Sequence, residues 1–455
     1  MKNLHTLTCS NKKILLSILD DLQMQIEITE NPFQLNMEDF FLMAARINKK
    51  RSFLFVSKLL GKHLPIQPNR GLLTGFLLAA RYEEIKTNQP SAQKEALLAY
   101  YHHDVALFSD RPYLEAAVSS PVIIGFAETA TSLGHSFYQA FKHATYFHTT
   151  REIVNEAASI ISFEEEHSHA TSHRCYVAEE MLKNEREVIL VDDELTTGKT
   201  AINIIRDIQG KFPRKLYTVV SILDWRSEED HKKMLELEKE LHIKIHFVSL
   251  LKGQFTLHNG HVEFKENHFT HMQNSSVPQV EHLELTEFIG NRLVPYTSKT
   301  LSMEENNLHY LADTGRFGIE SHQTDDAWMK KAGHHLTLRR TGKKTLVIGT
   351  GEFMYIPMKI ASYMGENIWY QSSTRSPIYP NKKAHYGAKT AYRFPNPEDG
   401  DIPHYLYNIK QGSYDDVFII FERKIDNKKL APLLQQLNRA NFKKINIVYC
   451  NGREQ

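Results

Sequence analysis

The sequence predicts an α/β protein made of two parallel-sheet units in series. Three observations carry this prediction. Short, continuous apolar runs alternate with amphipathic stretches, the pattern of strands covered on both faces by helices. That rhythm breaks once, at MQNSSVPQ (272–279), and then resumes. The chain has 455 residues, 41% of them hydrophobic, which allows roughly two or three domains with cores of their own.

Taken in order, the stretch to about Tyr113 reads as mostly helical, with residues 1–40 a helical extension and a proline turn around Pro65 and Pro68. The first unit spans 41–271. Its strands are PVIIGF (121–126), EVILV (187–191), LYTVVSIL (216–223) and IKIHFVSLL (243–251), with helical segments between them. Residues 272–304 read as a linker. The second unit, 305–455, has strands in KTLVIGTGEF (344–353), NIWYQSSTRSP (367–377), DDVFIIFER (415–423) and INIVYC (445–450). Leu430, Leu433, Leu434 and Leu437 have the i, i+3, i+4, i+7 spacing of a helix before the last strand.

Composition excludes several classes. Lys plus Arg number 55 and Asp plus Glu 54, a net charge of +1, which argues against a broad nucleic-acid footprint. No apolar run approaches the ~20 residues that span a bilayer. The N-terminal ILLSIL is short and followed at once by acids, unlike a signal or transit peptide. Cys9, Cys175 and Cys450 lie far apart and form no disulfide framework. A cytosolic, multi-domain protein is expected.

Residues 188–200, VILVDDELTTGKT, carry the sharpest signal. Val188 to Val191 form a short buried strand, and Asp192 and Asp193 stand at its C-terminal end, where open α/β sheets place ligands. Thr196, Thr197, Gly198, Lys199 and Thr200 make a hydroxyl-rich turn into a helix that buries Ala201, Ile204, Ile205 and Ile208. Free amides and the positive helix end there suit a phosphate, and Gly198 lets the backbone approach it. A P-loop would need glycine five residues before Gly198, where Asp193 stands. Two acids beside a phosphate turn fit a sugar phosphate, the acids accepting from ribose hydroxyls. A strand ending in a capped helix is the plain alternative.

This run resembles the binding signature of type I phosphoribosyltransferases, enzymes that bind phosphoribosyl pyrophosphate (PRPP). The resemblance implies that Asp192 and Asp193 hold the ribose and that Thr196 through Thr200 cradle the 5′-phosphate. It implies a pyrophosphate loop at Ala127, Glu128, Thr129 and Ala130, although Glu128 is an awkward acid for that task. It implies a hood over 148–177, with Arg151, His167 and His169 as candidates for the chemistry. The same segment, with His173 and Cys175, also offers zinc-type ligands at a spacing that fits no structural zinc pattern, and a solvated loop is a third reading. The family places the incoming base near Trp225, which could stack on its ring; core packing is the commoner fate of a tryptophan.

In the second unit, Gly349, Gly351 and Glu352 follow one strand and Thr374, Arg375 and Ser376 the next, so both loops belong to one sheet edge and predict a second anion site. Met354 replaces the third glycine of a dinucleotide fingerprint. A surface pairing of Arg375 with an acid is the alternative. Thr374-Arg375-Ser376-Pro377 resembles the motif that names the TRSP domain, found after a phosphoribosyltransferase domain in bacterial tellurium-resistance and stress gene clusters. Gly315-Arg316-Phe317-Gly318 resembles its second motif and adds Arg316 to the second site. The resemblance implies a type I phosphoribosyltransferase-like sheet with a hood, followed by a second α/β domain. The implied activity is ribosylation of an unknown acceptor from PRPP, with Mg²⁺ bound through PRPP and release of pyrophosphate, toward a nucleotide-like metabolite. A PRPP-binding regulator without turnover is the alternative, and a two-site enzyme a third. The partners are PRPP and a small acceptor, with no nucleic acid and no membrane; a homodimer is left open.

Overall fold

The computed structural model describes residues 13–19, 22–47, 51–103, 105–164, 172–258, 277–321 and 325–452. The N-terminal stretch, expected to be helical, forms strands. β1 (Lys13–Leu19) and β2 (Leu22–Glu30) make an antiparallel hairpin. The reason lies in LQMQIEITE: Leu22, Met24 and Ile26 are buried while the polar residues between them are not, which is the strand period. β3 (Phe41–Ala45) and β4 (Phe53–Ser57) form a second hairpin. Helices α1 (Pro68–Thr87) and α2 (Lys94–His102) follow.

The first sheet is then laid down: β5 (Val122–Gly125), α3 (Ala130–Tyr138) and β6 (Thr145–His148). The short strand β7 (Ile153–Val154) and the hairpin β8 (Ile161–Glu164) and β9 (Ser172–Cys175) come next. The chain returns through β10 (Val188–Val191), β11 (Glu194–Leu195), α4 (Lys199–Lys211), β12 (Leu216–Asp224), α5 (Glu228–Leu241) and β13 (Lys244–His258). Strands run in the order β1-β2-β13-β12-β10-β5-β6, parallel from β13 to β6, with β2 antiparallel on β13. The chain leaves β5 toward β6 and resumes on its other side at β10. That reversal makes a crevice at the carboxyl ends of β5 and β10.

The expected linker is partly structured. β14 (Gln279–Glu284) joins the second sheet, and α6 (Thr286–Ile289), β15 (Leu293–Val294) and β16 (Ser298–Lys299) occupy the rest. As an edge strand β14 buries only Leu283, so its hydrophobic pattern is faint. β17 (Glu305–Asn306), β18 (Tyr310–Leu311) and β19 (Ile319–Glu320) lead into α7 (Ala327–Thr337), β20 (Thr345–Gly349), α8 (Tyr355–Ser362) and β21 (Ile368–Ser372). A hairpin of β22 (Ala391–Asn396) and β23 (Asp399–Tyr407) precedes β24 (Asp416–Arg423), α9 (Asn427–Arg439) and β25 (Lys444–Asn451). The second sheet, β14-β25-β24-β20-β21, is parallel throughout. Its own reversal lies between β20 and β24.

The two units are interlocked rather than strung in series. β19 pairs with β6 and β16 with β7, so segments of the second unit extend sheets of the first. Ile66 bridges to Tyr370 and Arg46 to Ile378. One continuous apolar core contains residues of both, including Leu77, Phe137, Ile356 and Met358. Among the described residues no helix is long and apolar enough to cross a membrane.

Candidate functional site

The strand before the acids is buried completely, held between β5 and β12. Asp192 and Asp193 emerge half-buried at its carboxyl end. The Asp193 amide donates to Asp192 Oδ1 at 2.9 Å, which orients the first carboxylate. Glu194, next in the chain, faces away to Arg51 at 2.7 Å. Gly198 caps α4 with φ of 73°, where a Cβ would sit 2.4 Å from Met234 Cε. Glycine is required by that backbone. The amides of Thr196, Thr197 and Gly198 have no hydrogen-bond partner among the described residues, so acids and free donors stand together at one strand end.

The loop after β5 is more occupied than the sequence implies. Ala127 donates its amide to Thr149 Oγ1 at 2.9 Å, and Ala130 donates to Phe126 at 2.9 Å. Only the amides of Glu128 and Thr129 are left without a partner among the described residues. The side chain of Glu128 is no longer awkward once its neighbours are seen. It is 5% exposed, with Lys62 Nζ at 3.6 Å and Arg151 Nη1 at 3.7 Å. Burial alone would raise its pKa; Lys62 foremost, then His404, Arg151 and Arg375, outweigh burial and bring it to about 2. Glu128 is therefore a fixed anion that holds two cations beside the loop. Lys62, which also donates to Thr129 Oγ1, was not foreseen. Its only sequence signal was a lysine between two leucine-rich pieces, in KLLGKHLP.

Arg151 follows β6, and its amide donates to Glu352 Oε1 of the second unit at 2.9 Å. Thr150 Oγ1 donates to the other carboxylate oxygen at 2.5 Å. The hairpin of β8 and β9 stands above this loop, tied by the paired backbones of Thr150 and Arg174. His173 is stacked on Phe163 and hydrogen-bonded to Thr149 at 2.9 Å. Cys175 is buried, and burial pushes its thiol up to about 12, unlike a zinc thiolate. His167 and His169 lie outside the described residues.

Trp225 does not await a base. It is 3% exposed and stacks on Phe55 with centroids 5.0 Å apart, edged by Phe41 and Phe255. The β3–β4 hairpin, unrecognised as strands in the sequence, seals this edge of the sheet.

Arg316 is likewise removed from the predicted second site. It is 1% exposed and paired with Glu422 at 2.9 Å and Glu152 at 3.1 Å, one from each unit. Gly315 and Gly318 around it have φ of 86° and 87° and lie against Tyr146 and Met181 of the first unit. The motif is a brace between units. Gly349 serves packing, since a Cβ there would meet Phe353 O at 2.7 Å. Thr374 is buried, bonded to Tyr405 through its backbone and to the Ser376 amide through Oγ1 at 3.1 Å.

Gly351, Glu352 and Arg375 do converge, with Arg151 and Arg174, on a cavity of about 690 Å³. It lies between the units, at the reversal of the second sheet, where β20 and β24 end. Segments 298–308 and 396–404 complete its wall. Asp192 and Asp193 follow β10 on one side of the loop after β5, and Arg151, on the cavity wall, follows β6 on the other. His404, also on the wall, had no signal in the sequence beyond being one of 24 scattered histidines.

Comparison with known families agrees with this architecture. The family described as Phosphoribosyl transferase matches residues 40–254, which makes the chain a phosphoribosyltransferase. The TRSP domain C terminus to PRTase_2 matches residues 313–437. The two matched regions stand in the order that the second description implies, the TRSP region C-terminal to the phosphoribosyl transferase region. Among solved structures, adenine phosphoribosyl transferase from Trypanosoma brucei, in complex with AMP, pyrophosphate and ribose-5-phosphate, is 12% identical; the match covers 52% of this chain and 86% of that one, with a TM-score of 0.31. The Leishmania tarentolae enzyme is 13% identical over 52% of this chain and 94% of that one, with a TM-score of 0.29. No curated protein matches the sequence.

Proposed function

We propose that the protein transfers the phosphoribosyl group of PRPP to a nitrogen nucleophile and releases pyrophosphate. The bond from C1 to the pyrophosphate oxygen breaks, with its electron pair leaving on pyrophosphate. The acceptor nitrogen supplies the pair for the new bond and sheds a proton. The observation that carries this reading is the pair Asp192 and Asp193 beside three free amides, at the crevice between β5 and β10. Asp192 and Asp193 accept from the ribose hydroxyls, and Thr196 to Thr200 take the 5′-phosphate. The amides of Glu128 and Thr129 and the guanidinium of Arg151 receive the developing charge on pyrophosphate. Lys62 keeps Glu128 ionised, and Glu128 keeps Arg151 in place.

The donors present, carboxylates at a strand end, are hard oxygens that suit Mg²⁺ carried in by PRPP. When bound, it would offset the charge of the leaving group. The product of such a transfer is a nucleotide-like metabolite, in keeping with the resemblance to proteins of tellurium-resistance and stress clusters.

Calorimetric titration of PRPP with Mg²⁺ into the wild type and an Asp192→Asn/Asp193→Asn variant tests the reading. Saturable binding to the wild type, weakened at least about a hundredfold in the variant, is expected from losing two charge-assisted acceptors. A folded wild type that binds no PRPP would sink it.

A further inference from the structure

The cavity between the units has a wall that the transfer reaction above leaves unused. Several charged groups there are already engaged, although Glu398 and Asp399 also line it. Arg423 pairs with Glu152 and donates to Ser298, Glu352 accepts from Thr150 and Arg151, and Lys429 pairs with Glu304. Arg375 is different. It is half-buried on the cavity wall and has no hydrogen-bond or ion-pair partner among the described residues. A guanidinium drawn partly out of water is offset best by a bound carboxylate or phosphate.

His404 faces the same space and is 2% exposed. Ser373 Oγ accepts from the Gly351 amide at 3.1 Å and, with no other acceptor among the described residues, is assigned as donor to His404 Nδ1 at 3.0 Å. That assignment leaves the ring proton on Nε2. Burial foremost holds the ring neutral, with a pKa of about 4; Glu128 pulls the other way, while Arg375 and Lys62 add to burial. With Nδ1 turned to Ser373, Nε2 is left buried and without a partner among the described residues, on a ring that lines the cavity. Arg375 lowers the pKa of Glu128, and Glu128 in turn raises that of His404, so this wall adjoins the 126–130 loop.

We propose that Arg375 and His404 Nε2, with Arg151 across the cleft, form a second ligand site for a phosphate-type oxyanion, separate from the acids at β10. Two sources share that chemistry: the pyrophosphate set free beside Glu128, and the phosphate of a ribosylated product moving on to the second unit. The site rests on the cavity and on Arg375 and His404 Nε2, which have no partner among the described residues, not on the transfer reaction.

The test is titration of pyrophosphate, ribose 5-phosphate and inorganic phosphate into the full chain carrying Asp192→Asn/Asp193→Asn, which disables the first site. Saturable binding of at least one oxyanion is expected, within about threefold of its wild-type affinity at this site, because neither Asp192 nor Asp193 belongs to it. Adding Arg375→Ala should weaken it at least about tenfold, and adding His404→Gln by a smaller factor. Arg375→Lys, which keeps the charge and loses the fork, should recover part of the loss. Arg375 makes no internal bond, so its removal leaves the fold in place, which circular dichroism checks. Preference for pyrophosphate identifies the leaving group as the occupant, and preference for ribose 5-phosphate the product. No oxyanion binding to the double variant, or binding indifferent to Arg375→Ala, overturns the proposal. Retained Arg375-dependent binding in a protein that never binds PRPP would sink the transfer reading alone.

Discussion

Both sheets gather polar side chains at the carboxyl ends of their strands, and those edges carry opposite chemistry. At β10 the side chains are acids and the donors are backbone amides. Around the cavity the donors are a guanidinium after β21 and an imidazole on β23, and the acids Glu352 and Glu152 already accept from other partners. The first combination suits a hydroxyl-rich sugar ending in phosphate; the second suits an oxyanion alone. The first edge is also assembled from nine consecutive residues, while the second draws on Gly351, Ser373, Arg375 and His404, with Arg151 from the other unit. A turn that grips with its backbone can be local. A site that grips with side chains has to wait for packing.

The comparison can be broken most severely at the brace. Arg316→Met would leave Glu422 buried without its ion-pair partner and Glu152 with Arg423 at 3.5 Å, and loss of one partner of a buried pair costs about 3–5 kcal/mol. Urea unfolding should show a loss of that order. A loss under about 1 kcal/mol would mean that the edges are held together by something else.

A smaller effect should separate the edges. Gly198→Ala forces a side chain into left-handed backbone, a cost of roughly 1–2 kcal/mol, and pushes a methyl toward Met234. PRPP affinity should fall about tenfold, with oxyanion binding at Arg375 unchanged. Equal losses at both edges would erase the distinction.

The smallest effect concerns His404. Its folded pKa of about 4 lies below the ordinary 6.5, so between these values the unfolded chain binds more protons and stability rises with pH. The contribution is present above about 6.5 and is lost as pH falls toward 4. In His404→Gln the slope of stability against pH over that window should be shallower, by at most about 1.4 kcal/mol per unit. An unchanged slope would show that the ring is not held neutral in the cavity wall.

Much of the first edge was legible because its signals are local. An all-apolar tetrad, two acids and a glycine turn into an amphipathic helix each report on their own neighbours in sequence. The strand alternation in LQMQIEITE was equally local and was passed over for a helical reading of its surroundings. Trp225 shows the limit. Nothing beside it in the sequence tells whether Phe41, Phe55 and Phe255 will close around its ring or leave it open to a ligand. Lys62 and His404 are unremarkable in the sequence and become site residues only through Glu128 and Ser373.

The sequence by itself determined the α/β class, the alternation of parallel strands and helices, and the acids and glycine turn that follow β10. These follow from hydrophobic period, glycine conformation and the chemistry of adjacent residues. The tertiary structure alone decided that the second unit folds back onto the first, that Arg316 is a brace, and that Arg375 and His404 share a cavity with Arg151. Arg316 meets Glu422 across 106 residues and Glu152 across 164, and Thr150 meets Glu352 across 202. Contacts at such separations depend on how sheets pack, and buried charges persist there only where packing brings a partner.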